Sequence, residues 1–208
     1  MNIVLGIILS YLIGSFSSAY WIGKWFFGIN IKEEGSKNAG ATNTFRLLGT
    51  GPAIIVLLID FAKAFIAVKY IPYLFENTST VISNIDYQII LGFAVVMGHV
   101  FPIFSNFKGG KGVASLIGVA IALYNPIIIA IILVLFVAVV AISNFISLGS
   151  ITAAITLPIL TLIFQNDSLS LIIAAFIIAV FVVFMHRKNI KRLINGNENK
   201  FISKKNKH

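Results

Sequence analysis

Long apolar runs alternate with short polar segments along the whole 208-residue chain. Seven runs stand out, at about Ile3–Phe27, Pro52–Ile71, Tyr87–Phe104, Gly112–Tyr124, Pro126–Ile142, Ile146–Phe164 and Leu169–Met185. A helix needs about 20 residues to cross a hydrocarbon core of about 30 Å. The fourth run falls short of that. Asn125-Pro126 separates it from the fifth, and Pro126 suits the first turn of a helix, where its missing N–H is harmless. Without that break, 112–142 would read as one helix and the total would be six. The pattern predicts an all-α, polytopic membrane protein with about seven transmembrane helices. One domain, 1–208, is expected, with a flexible basic tail at about 201–208. There is no internal repeat.

Charge decides the orientation. Lys32, Lys37 and Arg46 follow the first run, and Lys108 and Lys111 follow the third. Arg187, Lys188, Lys191, Arg192, Lys200, Lys204, Lys205 and Lys207 follow the last. The intervening loops carry Glu76, Asp86 and Asp167, with Lys69 only near a helix end. The positive-inside rule then puts the N-terminus outside and the C-terminus in the cytoplasm, which agrees with an odd number of spans. Met1 and Asn2 offer no basic n-region, so the first helix is expected to be retained and not cleaved as a signal peptide.

Composition narrows the class further. The chain is 58% hydrophobic and 11% charged, with mean hydropathy +0.96, against about a quarter charged in soluble domains. The net charge of +9 fits cytoplasmic membrane loops better than a nucleic-acid surface, and no nucleic-acid partner is expected. There is no cysteine, which rules out disulfides and thiolate metal sites.

Three polar segments hold the candidate chemistry. The first is Gly35–Arg46, GSKNAGATNTFR. Gly35 and Gly40 permit a tight turn. Ser36, Asn38, Thr42 and Asn43 offer short donors, and Arg46 can grip two oxygens of one phosphate. The second is Gly98–Gly112, ending in Lys108-Gly109-Gly110-Lys111-Gly112. Its glycines let backbone approach an anion, or adopt positive φ, and its lysines supply charge. It opens into a helix whose N-terminal N–H groups suit an anion. The spacing is not that of a Walker A loop. His99 precedes it, as a structural or a site residue. The third is His186–Lys200, HRKNIKRLINGNENK. His186 and Asn189, at i and i+3, share one helical face. Glu198 has no place in a simple basic anchor. Asp60 and Lys63, also i and i+3, lie inside the second run as an ion pair or a functional pair. Ser143, Asn144, Ser147 and Ser150 stand near the start of the sixth as polar wall or helix-packing positions.

In these segments the chain resembles the bacterial acyl-phosphate-dependent glycerol-3-phosphate acyltransferase family. The resemblance runs through GSKNAGATN-x-x-R, GH-x-F-P-x-F-x-x-FKGGKG-V-A and HR-x-NI-x-RL-x-x-G-x-E-x-K over essentially the full chain. Lys37 departs from it, standing where a small residue, often glycine, is expected. The resemblance implies a multi-pass enzyme of the bacterial inner membrane with its site on the cytoplasmic face. It implies transfer of a fatty acyl group from acyl phosphate to the 1-hydroxyl of glycerol 3-phosphate. The products are lysophosphatidate and phosphate, within phospholipid synthesis. Membrane lipid is the surroundings, no cofactor or metal is expected, and a monomer is expected. Ser147 and Ser150 are the serines it favours.

The residues fit that chemistry on their own terms. Two phosphorylated substrates need two anion sites. An acyl phosphate already carries a good leaving group, so a covalent nucleophile is not required. Neither a G-x-S-x-G elbow nor an H-x-x-x-x-D signature is present. Direct attack by the glycerol hydroxyl is expected, driven by positioning and charge. The proton acceptor is His186 or a substrate phosphate oxygen. Among the catalytic segments, Ser36 is expected to donate to phosphate, His186 and Asn189 to orient the glycerol moiety, and Glu198 to hold the tail through a basic partner. A transporter of a phosphorylated anion and a non-catalytic lipid-binding scaffold are the rival classes. The first lacks an inverted repeat, and the second leaves His186, Asn189 and Glu198 unexplained.

Overall fold

The computed structural model describes residues 2–75 and 82–202. Glu76, Asn77 and the tail lysines Lys204, Lys205 and Lys207 lie outside the described residues. All regular structure in the described residues is helical. The chain divides into two compact units, Met1–Leu123 and Tyr124–His208.

The first unit contains α1 (Asn2–Gly14), α2 (Ser18–Phe27), α3 (Ala41–Leu48), α4 (Thr50–Leu74), α5 (Asn84–Val100), a 3-10 turn at Ile103–Ser105 and α6 (Val113–Leu123). The second contains α7 (Pro126–Ser143), α8 (Ile146–Phe164), α9 (Leu169–Met185) and α10 (Arg187–Ile194). Every apolar run read from the sequence is helical. Among the described residues, five stretches are long and apolar enough to cross a membrane: Asn2–Phe27, Thr50–Leu74, Asn84–Ser105, Pro126–Ser143 and Ile146–Phe164. A sixth is α9 with α10, bent by 59° at His186. The short fourth run is α6, an apolar helix of 11 residues. Side chains such as Val134, Val137 and Ile142 of α7 are exposed, as befits a helix whose solvent is lipid.

The first run is not one helix. Gly14-Ser15-Phe16-Ser17 interrupts it, and Ser15 turns its hydroxyl back onto the Tyr11 carbonyl at 2.8 Å. Small residues and hydroxyls are where a spanning helix can break, provided the freed backbone groups find partners. One partner comes from α4: Lys63 donates its ammonium to the Phe16 carbonyl at 2.8 Å.

The unit holds together by close backbone approach. A Cβ on Gly98 of α5 would overlap the Tyr11 carbonyl of α1, and one on Gly14 would overlap the Val95 carbonyl. Tyr11 completes the contact by donating its hydroxyl to the Phe101 carbonyl at 2.7 Å. Small residues at a helix crossing bring the van der Waals surfaces together where lipid supplies no hydrophobic drive. In the second unit, Asn125 caps α7 by accepting from the Ile127 N–H at 2.9 Å, with Pro126 at the first helical position as expected. The Asn125 N–H donates to Gln165 Oε1 at 2.8 Å.

Gly98→Ala puts a methyl onto a main-chain carbonyl that cannot rotate away. We expect a loss of about 3 kcal/mol or more, the upper range for overpacking. This is read as a lowered thermal midpoint of the purified protein. An unchanged midpoint would show that α1 and α5 do not meet at Gly98.

Candidate active site

The first polar segment is folded around Asn43. Its side chain is 1% exposed, accepts from the Ser36 N–H at 2.9 Å, and donates to the carbonyls of Ile31 and Glu34 at 3.0 Å each. Asn43 was expected to meet phosphate. Instead its amide is engaged with backbone, and its work is to shape the loop. The chain turns through the left-handed region at Gly35 (φ 57) and Lys37 (φ 58), closed by Lys37 N–H to the Glu34 carbonyl at 2.9 Å. The glycine expected in place of Lys37 thus has a backbone reason. Beneath the loop, Ile31 and Ala39 pack with Ala19 and Val56. The last residues of the segment form α3, where a loop was expected. Ser36, Asn38, Thr42 and Arg46 are half-buried, Arg46 in the last turn of α3.

The second segment departs from expectation in its glycines. Neither Gly109 nor Gly110 has positive φ. Their N–H groups donate to the carbonyls of Val100 at 3.0 Å and His99 at 3.3 Å, so those donors are engaged by the end of α5. The lack of side chains has a packing cause. A Cβ on Gly109 would overlap the His99 carbonyl, and one on Gly110 would overlap the His99 ring and lie 2.7 Å from the Ala39 carbonyl. Lys108 is exposed and Lys111 half-buried, just ahead of the N-terminus of α6. That helix start is the remaining backbone feature suited to an anion.

Lys32, which the sequence marked only as a topological charge, ties the chain just ahead of the first segment to the second segment and to α2. It donates to the Ser105 carbonyl at 2.6 Å and lies 4.2 Å from the centre of the Tyr20 ring. Burial, and then the charge of Lys108, lower its pKa to about 8. No spacing rule flags such a lysine, because its hydrogen-bond partner is a main-chain carbonyl 73 residues along the chain.

Asp60, Lys63 and His99 form one buried cluster in the same unit. Lys63 Nζ lies 2.8 Å from Asp60 Oδ1 and 3.1 Å from His99 Nδ1, and His99 Nδ1 lies 3.4 Å from Asp60 Oδ1. The ion pair read as one alternative from the spacing is therefore formed, and it recruits the histidine.

The second unit gathers the third segment. His186 stands at the corner between α9 and α10, 3% exposed, with Nδ1 2.8 Å from the Val182 carbonyl. A carbonyl only accepts, so Nδ1 carries the proton, and in the neutral ring Nε2 holds the lone pair. Glu198 accepts from Asn189 Nδ2 at 2.6 Å, Ser147 Oγ at 2.9 Å and Arg192 Nε at 2.7 Å. Burial pushes its carboxyl up, but those three bonds and the Arg192 charge outweigh this and hold it below the ordinary value. Glu198 is a staple, and Arg192 is the basic partner expected for it. Ser150 does not join: its hydroxyl turns back to the Ile146 carbonyl at 2.9 Å. Asn144 acts elsewhere in the unit. Its carbonyl and Oδ1 accept from the N–H groups of Phe201 and Ile202, and its amide donates to the Ile202 carbonyl. The start of the expected flexible tail is thereby tethered.

A protein-family model described as Glycerol-3-phosphate acyltransferase matches residues 4–196. The chain belongs to that family. It is 43% identical to the glycerol-3-phosphate acyltransferase of Fusobacterium nucleatum subsp. nucleatum over 195 residues, covering 94% of this chain and 96% of the relative. It is 39% identical to that of Staphylococcus aureus over 201 residues, covering 96% and 98%. Among solved structures it is similar to PlsY (YgiH), an integral membrane glycerol 3-phosphate acyltransferase. The glycerol 3-phosphate form aligns with TM-score 0.86 and 31% identity over 97% of this chain and 96% of that one. The lysophosphatidic acid form aligns with TM-score 0.82 and 30% identity. The family match reaches into both units and takes in the first two polar segments whole and the third as far as Gly196.

Two predictions follow from local geometry. Lys37→Gly removes a left-handed lysine, and we expect a gain of about 0.5–1 kcal/mol in stability after the added entropy of the unfolded chain. No rise in thermal midpoint would show that Lys37 makes compensating contacts. Glu198→Ala leaves the Asn189 amide and Arg192 without their acceptor, with an expected loss of about 2–3 kcal/mol. The pH dependence has a definite sign. A carboxylate with a lowered folded pKa stabilises fully above its unfolded value of 4.5 and loses that contribution as pH falls through the folded value. Thermal midpoints of parent and Glu198→Ala should therefore converge on acidification below that range. A constant gap would remove the carboxylate's charge from the account.

Proposed function

We propose that this protein is an acyl-phosphate:glycerol-3-phosphate acyltransferase of the bacterial inner membrane, supplying lysophosphatidate for phospholipid synthesis. The observation that carries the reading is the family match over residues 4–196, which takes in the basic loops as well as the apolar helices. The acyl-phosphate donor is supported by chemistry: the chain has no cysteine and no serine elbow, so a donor that is already an activated anhydride suits it.

In the proposed reaction, the 1-hydroxyl oxygen of glycerol 3-phosphate attacks the acyl carbonyl carbon. The carbon–oxygen bond to phosphate breaks, phosphate leaves with the electron pair, and an ester forms. Ser36, Asn38, Thr42, Arg46, Lys108, Lys111 and the start of α6 bind the phosphates. Asn43, Gly109 and Gly110 support them by shaping the loops. Ser147 serves through Glu198, while Ser150 contributes helix packing. His186 and Asn189 orient the glycerol moiety. The hydroxyl proton passes to His186 Nε2, a role its Nδ1–H to Val182 contact favours, or to a phosphate oxygen. No metal or cofactor takes part, and the enzyme works as a monomer within a single catalytic domain.

Purified protein given a synthetic acyl phosphate should release phosphate only when glycerol 3-phosphate is present, with equimolar lysophosphatidate. Absence of both products would sink the activity. A stoichiometric phosphate burst without acceptor would replace direct transfer by an acyl-enzyme.

We also propose seven spans, with α6 as the short fourth, the N-terminus outside and the C-terminus inside. Single cysteines in this cysteine-free chain test it with an impermeant thiol reagent on intact cells. Asn166 should label from outside, while Lys37 and Asn106 should not. Asn77 and Asn206, outside the described residues, extend the test to outer and inner faces respectively. Labelling of Lys37 or Asn106 would invert the orientation.

A further inference from the structure

Asp60, Lys63 and His99 are 1%, 7% and 5% exposed, and the reaction above uses none of them. Charged groups inside an apolar helix carry a high cost and need a reason to persist. The contacts around the cluster suggest what it does. The Lys63 ammonium is hydrogen-bonded to the Phe16 carbonyl at the break between α1 and α2 and to His99 Nδ1, and forms an ion pair with Asp60 Oδ1 at 2.8 Å. An ammonium donating to Nδ1 leaves the ring's own proton on Nε2, which fixes both the tautomer and the plane of the ring. Ser115 of α6 adds its hydroxyl to the Asp60 carbonyl at 3.1 Å.

The far edge of that ring is where the loops meet. Gly110 fits between His99 Nε2 and the Ala39 carbonyl so tightly that a methyl group would overlap the ring. The His99 carbonyl also accepts the Gly110 N–H at 3.3 Å. Ala39 belongs to the first polar segment and Gly110 to the second. The imidazole therefore lies against Gly110, Gly110 in turn lies against the Ala39 carbonyl, and the orientation of the ring is set by a charge pair on α4.

We propose that Asp60, Lys63 and His99 are positioning residues that hold the Gly35–Arg46 and Lys108–Gly112 loops in register, acting through the plane of the His99 ring. They touch no substrate in this account. They keep the two proposed phosphate-binding loops at a fixed spacing. The kinetic part of the proposal rests on the acyltransferase reading; the structural part does not.

The test uses full-length protein in lipid nanodiscs, with Asp60→Asn, Lys63→Gln, His99→Gln and the double variant Asp60→Asn/His99→Gln. Amide hydrogen exchange is followed across the chain. The proposal requires exchange at residues 36–46 and 107–112 to quicken by about tenfold, the scale of one coupling in a packed network, with α7–α10 unchanged. With acyl phosphate and glycerol 3-phosphate, the KM for one phosphate substrate should rise several-fold more than kcat falls. The double variant should lose no more than His99→Gln alone, because the residues act in series. Unchanged loop exchange, or additive losses in the double variant, overturns the proposal. So does a general rise in exchange that includes α7–α10, or failure of all three single variants to insert, either of which leaves the cluster a purely structural role. An inactive parent would count against the acyltransferase reading, while the exchange data would still decide the positioning role.

Discussion

A lysine ammonium among apolar helices needs polar partners, and in the first unit Lys63 finds them in a way that organises the helices around it. Its acceptors come from the broken first run, from its own helix and from α5. Each satisfies a group that would otherwise be costly to bury. The break at Ser15–Ser17 becomes tolerable because a donor reaches it from α4. The α1–α5 crossing at Gly14 and Gly98 then sets how close those helices come. The loops that follow α2 and α5 inherit their starting points from this arrangement.

In the second unit the corresponding role belongs to a carboxylate. Glu198 draws a hydroxyl from α8 and an amide and a guanidinium from α10 onto one group. The 59° bend at His186 turns α10 so that Asn189 and Arg192 meet it. Here a single anion is surrounded by donors, whereas in the first unit a single cation is surrounded by acceptors. Both are ways of using charge to fix polar loops on apolar helices, which alone offer little directional information.

Much of this was legible in the sequence. The apolar runs predicted the helices because hydropathy is additive along a chain. The three polar segments stood out because Gly, Lys and amide residues concentrate in them. The pairing of Asp60 with Lys63 was one of the two readings that their helical spacing offered. What escaped was what depends on contacts distant in sequence. Asn43 read as one more short donor, yet it is the hub of its own loop. Gly109 and Gly110 read as open backbone, yet they are close-packed on His99. Lys32 read only as a topological charge and Asn144 only as polar wall or a packing position, since a backbone partner leaves no trace in a motif. The break in the first run was visible only as a cluster of serines after a glycine, a weak signal against so apolar a background.

The bracket between Asn144 and Phe201–Ile202 has a mechanical consequence. It joins residues 58 apart and turns α8, α9 and α10 into a closed loop of chain. Closing such a loop carries an entropic cost that grows only slowly with its length, so a few hydrogen bonds suffice to hold it. The third polar segment is thus anchored at both ends and does not hang from α10 as a tail. Changes in the short turn between α7 and α8 will be felt at Glu198, half a hundred residues along the chain, and loosening either end should let the whole segment fray together.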